Sequence, residues 1–585
     1  MIVSALLPGS LGTLAVGPLI SRYIRSRPAV FAFIDGFIVV SIGGLVLLDV
    51  LPQALGQRDI IALLSIAVGF LVPDIVERMF RYGARQTHAA ILIAALLGVA
   101  VHSMLDGSAL AESSSQAGNL LGYGVLLHQI PVGLMVWWVL RDRALWTPWA
   151  VLGFMAVMTI VGYVAEPTVL AWLPERASLW FEAVVGGSLL HVIAHAAHEH
   201  DSPHEGHPGH GDHNHDHDHT ERDSGSLSHP MAAGAGSLAG ILVLVVLQYL
   251  EGGLQDPYTL QIAAALWQLL ASAAPALIFA YGAVAIWLTF VFVRQHRRLR
   301  AAASADASGQ AAEPISATAV VRLRAEQQDA TFPLIAALFS VPLLGVALAL
   351  ANLALSQLIT SLRTVALAAH HADGSGSGLK SHQVLYRAEE PSRAWRLAVE
   401  RSVPWVVVGL LVAALLVPLL ADNSLATLPP TVGVLLATII AALLPLPALA
   451  LVPTGAVLAS AGLSLGAVLA MLVAASQPAL WRSFGVAGDA AAGQVPQVAR
   501  ASRPPRARSG IRMLVAAAAG GMLFDFIAGS IDSRLLSQSL SADAGMLSSI
   551  ATALFIMLVL GLVGQRGIRA FAAPLHYRPV FSREN

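Results

Sequence analysis

Runs of about 20 apolar residues recur down this chain, the length a helix needs to cross the apolar core of a bilayer. In the first half they cover residues 1–20, 30–50, 60–76, 89–110, 120–140, 149–164, 179–197 and 236–249. In the second half they cover 262–293, 333–369, 403–420, 443–477, 513–530 and 546–563. Backbone polar groups in lipid must be satisfied within the protein, which leaves helices or a closed barrel. Long continuous apolar runs rather than short alternating ones select helices. Apolar residues are 56% of the 585 and charged residues only 12%, with mean hydropathy +0.70, outside the range of soluble domains. The expected fold is all-α: a polytopic transmembrane bundle of about 13–15 spans, the 333–369 run being long enough for a hairpin.

Charge sets the orientation. Arg22, Arg25 and Arg27 follow the first run, Arg78, Arg81 and Arg85 the third, and Arg141 and Arg143 the fifth. Counting spans places all three clusters on one side, the cytoplasmic one by the positive-inside rule. Residues 1–20 have no basic segment before them, so they are expected to be a span and not a cleaved leader. Basic linkers at 294–330, 370–402 and 482–512 divide the second half. Composition therefore suggests two fused transmembrane domains, 1–252 and 253–585. No phosphate-binding loop, nucleophile motif or sizeable soluble domain is present, so an enzyme is not expected. Any transport is expected to run on a gradient.

Two polar features stand against this apolar background. The stretch 101–111 reads V-H-S-M-L-D-G-S-A-L-A, with His102 and Asp106 one helical turn apart on one face. Ionisable groups at that depth usually face a bundle interior, a water path or an ion. The next run contains His128 beside Pro131. Imidazole and carboxylate without thiol suit a borderline divalent cation, and with no cysteine anywhere thiolate ligation is excluded. Hydrogen bonding in helix packing is the competing reading for His102, and more so for His128. For Asp49 and Glu77, near span ends, it is an ordinary interfacial carboxylate.

The second feature is a histidine tract. Eleven of the 20 histidines lie between 191 and 219: His191, His195, His198, His200, His204, His207, His210, His213, His215, His217 and His219. The first three continue the seventh run at helical spacing. Beyond Pro203 the tract alternates with Asp, Gly and Pro and cannot build a core. The loop 198–230 is expected to face the cytoplasm and collect or sense metal, with modest affinity and poor selectivity.

The first 250 residues resemble the ZIP family of divalent metal transporters. The stretch L-D-V-L-P-Q-A at 48–54 resembles its second-helix H-L-L-P-E-A, and H-S-M-L-D-G-S-A at 102–109 its fourth-helix H-N/S-x-x-D/E-G. H-Q-I-P-V-G at 128–133 resembles the fifth-helix H-E-x-P-E-G, and 186–195 is similar to the seventh-helix region. The resemblance implies eight helices and a mid-membrane metal site held by His102, Asp106 and His128, with Asp49, His191 and His195 as further ligands. Zinc is the substrate it implies most directly, with no tightly bound cofactor. Ser103, Gln129 and Val132 stand where the family has ligands, which implies one weakened site in place of two. The implied partners are membrane lipid and metal ions, with a homodimer open and nucleic acid excluded. The implied location is a plasma membrane, bacterial inner membrane included.

The second half contains a proline-broken block at 443–467, L-L-P-L-P-A-L-A-L-V-P-T-G, too rich in proline for one regular helix. Irregular backbone at such depth is tolerated only when buried in protein or lining a cavity. Pro445, Pro447, Pro453, Thr454 and Gly455 are therefore read as a substrate path, with tight packing alone as the alternative. Residues 271–283 weakly echo 401–411, each with a proline read as opening a long span. This half resembles the permease family that includes heavy-metal and organoarsenical efflux permeases, without the cysteine pair many of them carry. It leaves open an efflux protein for another small substrate, its ZIP-like half serving as a non-conducting metal sensor or docking module.

Overall fold

The computed structural model describes residues 6–25, 27–52, 61–62, 64–71, 88–115, 121–140, 146–170, 180, 183–184, 186–187, 190, 229–250, 257–307, 334–341, 343–344, 346–356, 391–420, 425–444, 446–475, 506–528 and 545–576. All regular structure among these residues is helical. Among the described residues five helices are long and apolar enough to cross a membrane: Pro28–Leu48, Trp146–Ala165, Tyr258–Arg294, Pro391–Leu416 and Met546–Arg566. The protein is thus an all-α chain with the helices of a multi-pass membrane protein.

The chain forms two compact units. One is Met1–Ile262 together with Leu560–Ala573; the other is Ala263–Val559 with Pro574–Asn585. The first unit contains α1 (Leu6–Arg25), α2 (Pro28–Leu45), α3 (His88–Ser115), α4 (Leu121–Leu140), α5 (Trp146–Leu170) and α6 (Pro230–Leu250). Three pairs carry most of its packing: α2 with α6, α3 with α5, and α1 with α4. Lipid tails are as apolar as leucine, so helices in a membrane associate through close packing of small residues. That is what these pairs show. A Cβ on Gly107 would fall 1.9 Å from the Thr159 carbonyl oxygen, and one on Gly162 2.0 Å from that of Met104, so α3 and α5 touch backbone to backbone. Gly36 of α2 and Gly236 of α6 do the same for the second pair, against Ala233 and Phe33. A core of Leu6, Ile38, Ile42, Leu110 and Val125 joins α1, α2, α3 and α4.

The second unit is built on α7 (Pro257–Ala307), α8 (Pro391–Leu416), α9 (Pro430–Leu443), α10 (Ala448–Ser460), α11 (Leu465–Ala475), α12 (Arg506–Ala528) and α13 (Met546–Arg566). The end of α13 and most of the last helix, α14 (Ile568–His576), belong to the first unit. Both prolines read as opening spans lie inside helices instead: Pro275 in α7 and Pro404 in α8. A proline removes one ladder hydrogen bond, and partners in a packed bundle re-satisfy the freed carbonyl, so the helix runs through it. The 333–369 run appears as helical stretches 334–341, 343–344 and 346–356; its remainder lies outside the described residues.

The proline-broken block forms three short helices. At 1.5 Å per residue α9, α10 and α11 are about 21, 20 and 17 Å long, each shorter than a membrane's apolar core of about 30 Å. The chain turns at Leu444–Pro447, where Leu444 leaves the helical region at ψ 132 and Pro447 precedes α10 at ψ 158. The end of α10 comes back beside the start of α9, since the Leu425 amide donates to the Ala461 carbonyl at 3.0 Å. A second turn follows at Gly462, whose φ of +99° is a conformation glycine adopts without a side-chain clash. The α11 helix then packs against α9, α10 and α12. The chain therefore doubles back: α9 leads away from Leu425 and α10 returns beside it. Eleven of the thirteen α10 residues are buried, which suits a helix apolar on every side.

Candidate metal centre

The site rests on α3. Its two faces separate by angle at 100° per residue. Met104, Gly107 and Ser108 form the face toward α5, where Ser108 Oγ lies 3.1 Å from the Gly162 carbonyl oxygen. His102, Asp106, Ala109 and Ser113 share the opposite face. At its C-terminal end this face meets α4: a Cβ on Gly122 would fall 2.9 Å from Ser113 Cβ. The two helices are neighbours across a short connection, and the antiparallel register that sets Ser113 against Gly122 pairs Asp106 with Gln129 further along.

The α1 helix closes the third side. Gly9 sits against Leu126, and Leu14 presents its carbonyl oxygen to Gly133, so Ser10 lies between these two levels of α4. Tight approach at Gly133, where an added Cβ would come 2.4 Å from that carbonyl oxygen, holds α1 on α4.

Buried polar groups occur on α1, α3 and α4. The Asp106 side chain is 3% exposed, and His102 Nε2 lies 3.6 Å from its Oδ2, one turn away as the spacing predicts. Ser10, Ser103 and Gln129 are buried, and Ser10 Oγ, Ser103 Oγ and Gln129 Oε1 meet no hydrogen-bond partner among the described residues. Neighbouring hydroxyls behave otherwise: Ser113 donates to the Ala109 carbonyl at 2.8 Å and Thr159 to that of Met155 at 3.0 Å. A buried polar atom without a partner costs about 1–3 kcal/mol. Such atoms in the same unit as a buried carboxylate suit helices that receive a polar or charged guest.

The predicted ligands are placed unequally. His102 and Asp106 are together on α3. His128 lies on α4, and Asp49 in the π turn Val46–Val50 that ends α2, but both side chains are outside the described residues. His191, His195 and the tract from His198 to His219 are also outside them. Among the described residues no group of three or more His, Asp or Glu side chains is gathered. Ser103 and Gln129, two of the positions where residues 1–252 differ from the pattern they resemble, each carry one of the atoms that meet no partner among the described residues.

Two buried groups escaped the sequence reading. Ser10 sits in the first apolar run and Glu112 at the end of α3, 0% and 2% exposed respectively. The available signal was the one used for His102, a polar residue within an apolar run. Neither belongs to a motif, so neither drew attention.

In the second unit Pro453, Thr454 and Gly455, expected from the sequence to line a path, are all buried within α10, and Pro447 is its N-cap. Gly455 sits against Val468 and Met471 of α11. Thr454 Oγ1 has no partner among the described residues. Pro445 lies outside them. The tip before α11 is pinned from α12: Ser464 Oγ donates to Asp525 Oδ2 at 2.7 Å, and the Gly466 amide to Oδ1 at 2.6 Å. Asp525 thus satisfies the Gly466 amide, and Ser464 Oγ accepts from the Ala467 amide at 3.2 Å, so two of the first donors of α11, which have no partner inside the helix, are met.

No protein-family model, no curated protein and no solved structure matches this chain.

Proposed function

We propose that the chain is a membrane transporter for divalent metal cations, zinc foremost, and that the first unit carries the ion. The observation that supports this most is Asp106: a carboxylate almost wholly buried in the C-terminal half of α3, one turn from an imidazole, in a unit where Ser10, Ser103 and Gln129 are buried with a polar atom that meets no partner among the described residues. A carboxylate in that position demands a cation or a proton. His102 and Asp106 are the proposed ligands, completed by His128 and by the amide or hydroxyl oxygens of Gln129, Ser103 and Ser10. The family resemblance of residues 1–252 points the same way. In this reading His191 and His195 continue the path toward the cytoplasmic tract, which collects metal at the mouth, and Asp49 lies at the other end. The second domain is permease-like, with its path along α10. The protein works in a plasma membrane, as a monomer or homodimer.

Gln129 favours a second reading. An amide where the ZIP pattern has a carboxylate lowers the negative charge of the site. On this reading the first unit binds metal without conducting it and acts as a sensor for efflux through the second.

Zinc flux into proteoliposomes containing the purified full chain separates the two. Loss of flux in both His102→Ala and Asp106→Ala identifies the first unit as the conducting one. Zinc binding without flux in the wild type selects the sensor. Equal flux in all three proteins rejects the first unit as the path.

A further inference from the structure

An ion pair on helices other than those bearing His102 and Asp106 joins residues far apart in the sequence. Arg569, on α14, donates to Asp35 on α2 through both arms of its guanidinium, Nε to Oδ2 at 2.7 Å and Nη2 to Oδ1 at 2.8 Å. Asp35 lies seven residues into a candidate membrane span, so its carboxylate needs a cation nearby. No neighbour in sequence supplies one at helical spacing. The bidentate fork is the geometry in which arginine is most selective for carboxylate.

The surrounding contacts are shaped for the same segment. Ser237 of α6 accepts a hydrogen bond from the Ile568 amide at 3.0 Å, and its own hydroxyl donates to the Ala233 carbonyl at 2.8 Å. The first amide of α14 is thereby satisfied from another helix. A Cβ on Gly234 would fall 1.8 Å from the Gly564 carbonyl oxygen, so the end of α13 lies directly on the α6 backbone. Gly567, at φ +80°, then turns the chain over Ala233 and delivers Arg569 to Asp35. On the receiving side Gly36 is pressed against Ala233 and Ser237, so α2 and α6 present one continuous surface. Shape, hydrogen bond and charge coincide on a segment of about eight residues.

We propose that residues 564–571 are a recognition segment, a C-terminal clasp, for the α2/α6 face, and that the first unit is incomplete without it. The two halves of the chain are then not separable cassettes. The second half ends by supplying the first with the countercharge and the lid of one of its helix pairs. The clasp sits on α2 and α6 and not on the helices bearing His102 and Asp106, so it stands or falls independently of the transport reading.

The chain has no native cysteine, which makes a disulfide test clean. Full-length protein carrying Ser237→Cys and Ile568→Cys is oxidised in membranes and run without reductant. A monomer-sized cross-linked species is expected. Adding Arg569→Asp should lower its rate of formation by roughly tenfold or more, and Asp35→Arg added to that variant should restore it. A dimer-sized product would overturn the proposal by assigning the surface to the tail of a second copy. So would absence of cross-linking, a rate indifferent to Arg569→Asp, or an exchange of charges that restores nothing. If the reversed variant fails to fold, judged by its elution in detergent, Arg569→Lys takes its place. It keeps the charge and loses the fork, and a rate equal to that of the parent would count against recognition by geometry.

Discussion

At the scale of single residues, an i,i+4 pair acquires its character from burial. His102 and Asp106 on a soluble helix would be a weak surface contact. Here Asp106 is 3% exposed, so its charge is held only if something balances it. Replacing Asp106 with Asn keeps the volume and removes the charge. Zinc affinity of the purified protein, read by calorimetry, should fall by about tenfold or more, with little change in the unfolding temperature. Gln129→Glu is expected to act in the other direction, raising divalent affinity by adding a carboxylate at the level of Asp106; an unchanged or weaker affinity would place Gln129 outside the coordination sphere. Asp35→Asn should destabilise the fold by about 2 kcal/mol, the worth of charged hydrogen bonds to Arg569, while leaving zinc affinity alone.

Between elements, the main determinant is how closely backbones approach. The α3/α5 pair meets at Gly107 and Gly162, where an added Cβ would overlap a carbonyl oxygen. Gly107→Leu should therefore separate the pair and lower thermal stability by roughly 3 kcal/mol or more, since a rigid backbone atom cannot yield as a side chain can. Leu at Gly153, which has open space around it, is the matched control and should be near neutral. In the segment that doubles back Asp525 does for α11 what an N-cap does within one helix, but from a different helix. Asp525→Ala should loosen the tip at Gly462–Ser464 and cost about 1–3 kcal/mol. Hydrogen exchange at the first amides of α11 reports it directly, and unchanged protection there would show that the tip is held by packing alone.

For the molecule as a whole, the histidine tract and the bundle are separable in composition. Residues 204–219 have no apolar face to bury, so their deletion should leave the unfolding temperature of the full chain unchanged. Metal bound per chain, measured with nickel or zinc, should fall. A large loss of stability on deletion would mean that the tract packs.

Several features were legible before any coordinates because they depend on local sequence. The transfer free energy of a 20-residue apolar run decides for a membrane helix whatever surrounds it. The all-α class, the long helices at α2, α5, α7, α8 and α13, and the break at Pro445–Pro447 belong to that category. So does the shared face of His102 and Asp106, which follows from helical geometry alone. Hydropathy is blind to rotation about a helix axis and to the identity of neighbours. It could not say that Met104, Gly107 and Ser108 would be taken by α5, leaving the His102 face to meet α4. It placed Pro275 and Pro404 at helix starts, because the partners that let a helix run through a proline are tertiary. It passed over Ser10, Glu112 and Asp35, single polar residues whose roles exist only beside another helix. The pairing of Asp35 with Arg569, 534 positions away, is the extreme case. Local pattern determined which segments are helices, because solvation of a segment depends on its own atoms. Tertiary structure decided which faces meet and which charges are balanced, because those energies depend on distances between atoms that the sequence keeps far apart.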